Sequence, residues 1–370
     1  MTRKRLVLFA SLAAIGVFLA FMSPTQAQEL LPTSTPPPVE TPGLPPQVET
    51  PSPPSAFPQS PAATTAEVLP VTDEIPIATT NDLEGNAAVA ICATDEYLAV
   101  YARAGDIYGQ RLKADGQLRG DPFVIYDGSN SAYTPAVTCD WVFNRFIVVW
   151  TYAYSVSDAD LYAQAVYGAY QSSGSQLAGS RITLADQTRP EQNPDIACNS
   201  LDLNCLIVYE YDGATDDSVY GQRLTLGSSA LSLLGASFDF TSPMTQTHPA
   251  VTWNGVSDNY LVVWQESQTS PKIHQRVFFA HVYPTDQGSS DERQHNNTFL
   301  INPGTWDCNQ LAPDVAYNRY TNLSLVTFEF DYLCNGTDYD ILARRVGATG
   351  PTVQGDPFWV AWDGAKAGSP

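Results

Sequence analysis

The stretch Asp106-Ile-Tyr-Gly-Gln-Arg-Leu112 returns as Ser218-Val-Tyr-Gly-Gln-Arg-Leu224, with looser copies at 160–166, 277–282 and 340–346. Each copy follows a strongly β-forming run that ends in an aromatic: 97–101, 146–150, 205–209, 260–264 and 324–328. Ahead of those runs lie apolar segments, usually opened by proline, at 87–91, 135–139, 194–198, 249–253 and 313–317. A fourth apolar segment closes each unit, at 123–126, 182–184, 238–240, 299–301 and 358–362.

The aromatics that end the second segments (Tyr101, Trp150, Tyr209, Trp264, Phe328) are spaced 49, 59, 55 and 64 residues apart. Runs of β-branched and aromatic residues between Gly, Asn and Asp clusters are strands, and no helical period competes with them. Four short strands per unit, repeated, predict an all-β fold, a β-propeller of about five four-stranded antiparallel blades. A solenoid needs a shorter and more regular period, and a sandwich needs about seven strands per unit. The units run about 86–127, 134–186, 193–241, 248–302 and 312–364, within a domain spanning 67–370. A small residue recurs in the third strand (Gly109, Ala163, Gly221, Ala280, Ala343), as expected where a neighbouring blade approaches closely. Residues 74–78 read as a sixth strand of the fourth type, so one of the two terminal strands is expected to seal the ring.

Upstream, Arg3, Lys4 and Arg5 precede an apolar run at 6–22, then small residues up to Ala27. That layout predicts a secretory signal over 1–27, with an uncleaved anchor as the alternative. Between residues 31 and 61, 12 of 31 are proline, so 28–66 is expected to be an extended linker. The protein is then secreted or displayed at the cell surface. The formal net charge is −21, which disfavours nucleic acid and anionic membrane as partners and suits neutral ligands or cations. A monomer is expected.

The phrases Tyr260-Leu-Val-Val-Trp264 and Asp106-Ile-Tyr-Gly-Gln-Arg-Leu112 resemble repeats of exported bacterial proteins built from tandem β-propeller-type units. The resemblance covers roughly 74–364 and implies fold and export, but no activity. No kelch double glycine or sialidase Asp box occurs.

Six cysteines in an exported chain predict disulfides. The repeat register brings Cys198 against Cys205 in one hairpin, and Cys308 against Cys334 on one face of unit five. Cys92 and Cys139 then remain, beside equivalent turns of adjacent units.

Acidic loops enter several third strands, at Asp158 and Asp160, at Asp216 and Asp217, and at Asp338 and Asp340. Such oxygens suit Ca²⁺, although an Asp at a strand entry also caps backbone N–H groups, so no cofactor or a calcium ion are both open. Aromatics at loop positions, Trp306 and Tyr133, with Asp307, Asn309 and Gln310 nearby, suit stacking on sugars or partner side chains. Asp195 and Asp314 take the second position of innermost strands, where a glycosidase would need its two unlike carboxyls. Glu210, Glu266 and Glu329 follow second strands and read as architecture. The four histidines (His248, His274, His281, His295) lack zinc spacing. No P-loop, dinucleotide or Gly-x-Ser-x-Gly motif occurs. These features predict a non-catalytic module binding extracellular carbohydrate or protein. A propeller glycosidase is the alternative, and a structural surface protein the third reading.

Overall fold

The structure is a computed structural model. It describes residues 75–78, 80–92, 95–213, 217–240, 242, 244–268, 274–282, 299–302, 308–331, 333–349 and 352–361. The expected signal and proline-rich linker lie outside these residues. Among the described residues, twenty strands pair into five four-stranded antiparallel sheets, each taking four consecutive strands in chain order. The first strands are β1 (Glu84–Ile91), β5 (Ala132–Asp140), β9 (Glu191–Asn199), β13 (Gln246–Asn254) and β17 (Gln310–Asn318). The second strands are β2 (Tyr97–Arg103), β6 (Arg145–Ser155), β10 (Asn204–Tyr211), β14 (Asn259–Gln268) and β18 (Leu323–Asp331). The third are β3 (Asp106–Leu112), β7 (Asp158–Tyr167), β11 (Ser218–Leu226), β15 (His274–Val282) and β19 (Tyr339–Gly347). The fourth are β4 (Leu118–Tyr126), β8 (Leu177–Ala185), β12 (Leu231–Asp239), β16 (Phe299–Leu300) and β20 (Val353–Ala361).

The repeat aromatics occupy one register. Tyr101 faces Tyr108, Trp150 faces Tyr162, Tyr209 faces Tyr220, Trp264 faces Phe278 and Phe328 faces Leu342 across the second and third strands. All five rings are buried. Units with matching registers, packed face to face around an axis, make a β-propeller. The turn after each first strand is also repeated. Asp140, Asn199, Asn254 and Asn318 each accept two backbone N–H bonds with a side-chain oxygen, two and three residues on, the Asx geometry that short polar side chains favour.

The first strands share an unusual bulge. Asn86, Thr134, Asn193, His248 and Ala312 all have φ between 45° and 53°, and pairing with the second strand shifts register at each. Four of the five precede proline, which disfavours the helical region for the residue before it. Left-handed backbone at residues other than glycine costs about 1–2 kcal/mol each. The bulges turn consecutive side chains toward the axis, and that is where the site lies.

Hydrophobic cores lie between successive units. Leu98, Val100 and Ile107 of unit one pack with Phe146, Val148 and Trp150 of unit two, and equivalent clusters join units two to three, three to four and four to five. The seam between units five and one differs. Ile196, Val251 and Val315 pack into the core shared with the preceding unit and are 4%, 6% and 9% exposed, whereas Val89 at the same register of unit one is 64% exposed. The first strands pack in order from β1 to β17, but among the described residues β17 does not pack on β1 in the same way. Among the described residues no strand seals the ring: residues 75–78 form no strand, and β20 completes unit five.

The small third-strand residue has a different cause from the one expected. A Cβ at Gly109 would sit 2.7 Å from the Phe123 ring, and one at Gly221 would sit 2.5 Å from the Phe238 ring. Both rings belong to the fourth strand of the same blade, which folds its aromatic over the glycine instead of leaving the space to a neighbour. Disulfides join Cys92–Cys139, Cys198–Cys205 and Cys308–Cys334. The first crosses from unit one to unit two, and all three suit an oxidising compartment.

Candidate functional site: the axial mouth

The five bulges converge on one cavity of about 450 Å³, lined by Asn86, Thr134, Asn193, His248 and Ala312 with the residues that follow them. It is within the size range of small-ligand sites, about 300–1,000 Å³. Side chains from the second strands brace this rim. Glu210 accepts the His248 backbone N–H at 2.6 Å and the Asn193 amide at 2.9 Å, tying units three and four. Gln265, at the matching register of unit four, accepts the Ala312 N–H at 3.1 Å. Thr134 and Thr151 hydroxyls bond at 3.0 Å within unit two. Glu329 holds the same register in unit five, beside the open seam.

One residue beyond the prolines stand Asp195 and Asp314. Asp195 is half-buried, and one carboxyl oxygen accepts the Val251 backbone N–H of the next unit at 2.7 Å. Burial pushes its carboxyl up to about 6, and the nearby charge of Asp314 adds to the push; N–H bonds from Val251 and Ile196 hold it down. Asp314 is exposed to solvent, and its oxygen accepts the following N–H, that of Val315, at 2.8 Å. The two carboxyls, close enough for one to feel the other's charge, thus have unlike environments, the condition for splitting acid and carboxylate roles.

The other sequence candidates are scattered. Trp306, Asp307 and Asp216 lie outside the described residues. Gln310, expected at a binding loop, is instead fully buried as the first residue of β17, because the strand begins earlier than its apolar pattern does. Tyr133 is half-buried beside a second cavity, between units two and three. Asp160 is buried, with its carboxyl raised by burial and by Asp158 and Asp186; Asp338 is also buried. The Asp217 carbonyl accepts the Gln246 N–H. No three Asp, Glu, His or Cys side chains among the described residues gather in a metal-holding group. Glu266 accepts the Trp264 indole N–H and the Gln246 amide, a packing role.

Sequence reading passed over Glu191. It starts β9, is fully buried, accepts the Gln187 N–H with one oxygen at 3.1 Å, and leaves the other without a hydrogen bond. Burial raises its carboxyl to about 8, with a smaller push from Asp160, Asp186 and Asp158. Its signal was available, since Glu191, Gln246 and Gln310 all stand two residues before the bulge.

Comparison with solved structures returns propellers. The chain aligns with α-L-arabinofuranosidase from Lactobacillus brevis at 8% identity, covering 76% of this chain and 97% of that one, with a TM-score of 0.46. It aligns with Penicillium chrysogenum α-L-arabinanase, complexed with arabinobiose, at 12% identity over 71% and 89%, TM-score 0.48. A thermostable family-43 glycoside hydrolase gives 12% identity over 76% and 95%, TM-score 0.44. At these identities the likeness is one of fold. No family model matches the chain, and no curated protein does. The non-catalytic binding module expected from the sequence does not stand as the better reading: several of the solved structures that align with the chain are glycoside hydrolases, among them arabinanases and a xylosidase. Asp195 and Asp314 follow the lining prolines Pro194 and Pro313 in sequence.

Proposed function

We propose that this protein is an extracellular glycoside hydrolase acting on polysaccharide at the axial mouth, with Asp195 as general acid and Asp314 as the partner carboxylate. The observation that carries the reading is the pairing of a half-buried carboxyl, bonded to the Val251 N–H and pushed up to about 6 by its surroundings, with a solvent-open one. Hydrolysis of a glycosidic bond needs that division of labour. Protonated Asp195 gives its proton to the leaving glycosidic oxygen as the C–O bond breaks. Asp314 faces the electron-poor anomeric carbon and either takes the proton of the attacking water or bonds to the carbon first. The bulged rim of Asn193, Thr134 and His248 offers amide, hydroxyl and imidazole groups to sugar hydroxyls.

The test is release of reducing ends from a panel of polysaccharides by the purified chain. Wild type is expected to release sugar, and Asp195→Asn to slow release about 10²–10⁴-fold, the usual worth of general acid catalysis. Equal rates for wild type and Asp195→Asn would remove the assignment. Release from no polysaccharide would remove the activity.

A further inference from the structure

A second cavity, of about 470 Å³, opens between units two and three, lined by Asn130, Ser131, Tyr133, Tyr154, Ser155 and Gln192 among others. Tyr133 and Gln192 immediately precede Thr134 and Asn193 of the axial rim. β5 and β9 therefore deliver consecutive residues to two neighbouring cavities, and one extended molecule can engage both.

The lining has the chemistry of a sugar site. Tyr154 is exposed to solvent yet held from both sides. Its ring meets Tyr152 edge-on, with centroids 4.9 Å apart at 87°, and its hydroxyl lies 2.6 Å from that of Tyr162. An aromatic surface already fixed in place loses little freedom on binding and offers its face to the apolar C–H side of a pyranose or furanose. Asn130, Ser131, Ser155 and Gln192 supply donors and acceptors for ring hydroxyls.

The surrounding charge selects among sugars. Asp158, Asp160 and Asp186 lie close enough to the buried Glu191 to raise its carboxyl. Of the cations nearby, Arg181 sits over Tyr126 and Tyr162, and Arg189, next to the lining Pro190, donates to the Gly213 carbonyl; neither lines the cavity. A polyuronate entering here meets a negative field.

We infer that the cavity between units two and three binds a second, neutral sugar residue of the polysaccharide whose scissile bond sits in the axial mouth. This deepens, and rests on, the glycosidase reading. The substrate is then an uncharged polymer, and single sugars are poor substrates.

The test uses the full chain carrying Asp195→Asn, so that the polymer survives, in affinity electrophoresis through gels holding xylan, debranched arabinan, galactomannan or polygalacturonate. We expect retardation by at least one neutral polymer and none by polygalacturonate. Adding Tyr154→Ala should weaken that retention about tenfold, an amount typical of one aromatic contact. Adding Tyr154→Phe, which keeps the ring, should retain most of it. Unaltered retention in the Tyr154→Ala chain, preference for polygalacturonate, or no retention by any neutral polymer overturns the inference. Thermal melting of each variant identifies a chain that has failed to fold. Reducing-end release by wild type judges the hydrolase reading separately: retention that depends on Tyr154, without release, would sink the hydrolase and leave the sugar site.

Discussion

One carboxyl oxygen of Asp195 accepts the backbone N–H of Val251 at 2.7 Å, so an acidic side chain of unit three ends on the first strand of unit four. The bond orients the carboxyl, and burial raises its titration to about 6. Asparagine keeps an oxygen for the Val251 N–H but has no proton to give. A general acid works while protonated, so kcat/KM should hold below about pH 6 and then fall about tenfold per pH unit. That limb should vanish in Asp195→Asn. Initial rates of reducing-end release from pH 4 to 9 decide it, and a wild-type profile flat from pH 5 to 8 would take the acid role from Asp195.

Glu191 gives stability a pH dependence of definite sign. Its carboxyl titrates at about 8 in the folded chain and at 4.5 when unperturbed. The unfolded chain gives up this proton first, so the contribution is whole below about pH 4.5 and is lost as pH rises toward 8. Asp195 acts in the same direction, between 3.8 and about 6. Glutamine occupies the equivalent place in unit four, where Gln246 accepts the Val219 N–H and donates to the Phe240 carbonyl. Glu191→Gln should therefore fit, flatten the decline, and stabilise the protein at pH 9 on the order of 3 kcal/mol. Urea midpoints at pH 5, 7 and 9 measure it; parallel slopes for variant and wild type would refute it.

The Cys92–Cys139 bridge closes 47 residues and links two blades, while Cys198–Cys205 closes 7 within one hairpin. Loop-closure entropy makes the longer bridge worth more, about 3–4 kcal/mol against roughly 2–3. Paired serine replacements should lower the melting temperature further at the first bridge than at the second. The reverse order would mean that the blades hold together without it.

The open seam predicts unequal costs for equal substitutions. Val251→Ser removes a buried side chain from the core of units three and four and should cost about 1–3 kcal/mol. Val89→Ser, at the same register but 64% exposed, should stay within about 0.5 kcal/mol. Chemical denaturation of the two variants tests this directly. A cost at Val89 matching that at Val251 would show that the seam is covered in solution.

Much of the architecture was legible because it repeats. Four strands per unit, the common register of Tyr101, Trp150, Tyr209, Trp264 and Phe328, and the pairing of cysteines at equivalent turns all follow from period and position. Gln310 misled because only its burial distinguishes a strand start from a loop. Gly109 misled because the space above it belongs to Phe123 of the same sheet.

What the chain by itself determined is the local pattern: alternation and aromatic spacing specify strands and blades, since strand side chains alternate faces whatever lies opposite. What only the tertiary structure decided is everything that depends on a partner from another unit. An Asp195 oxygen of unit three meets the Val251 N–H of unit four, Glu210 of unit three holds the His248 N–H of unit four, and Val89 of unit one lacks among the described residues the cover that Val251 has. Burial and electrostatic fields arise from what surrounds a residue in space, and most of that is far away in sequence.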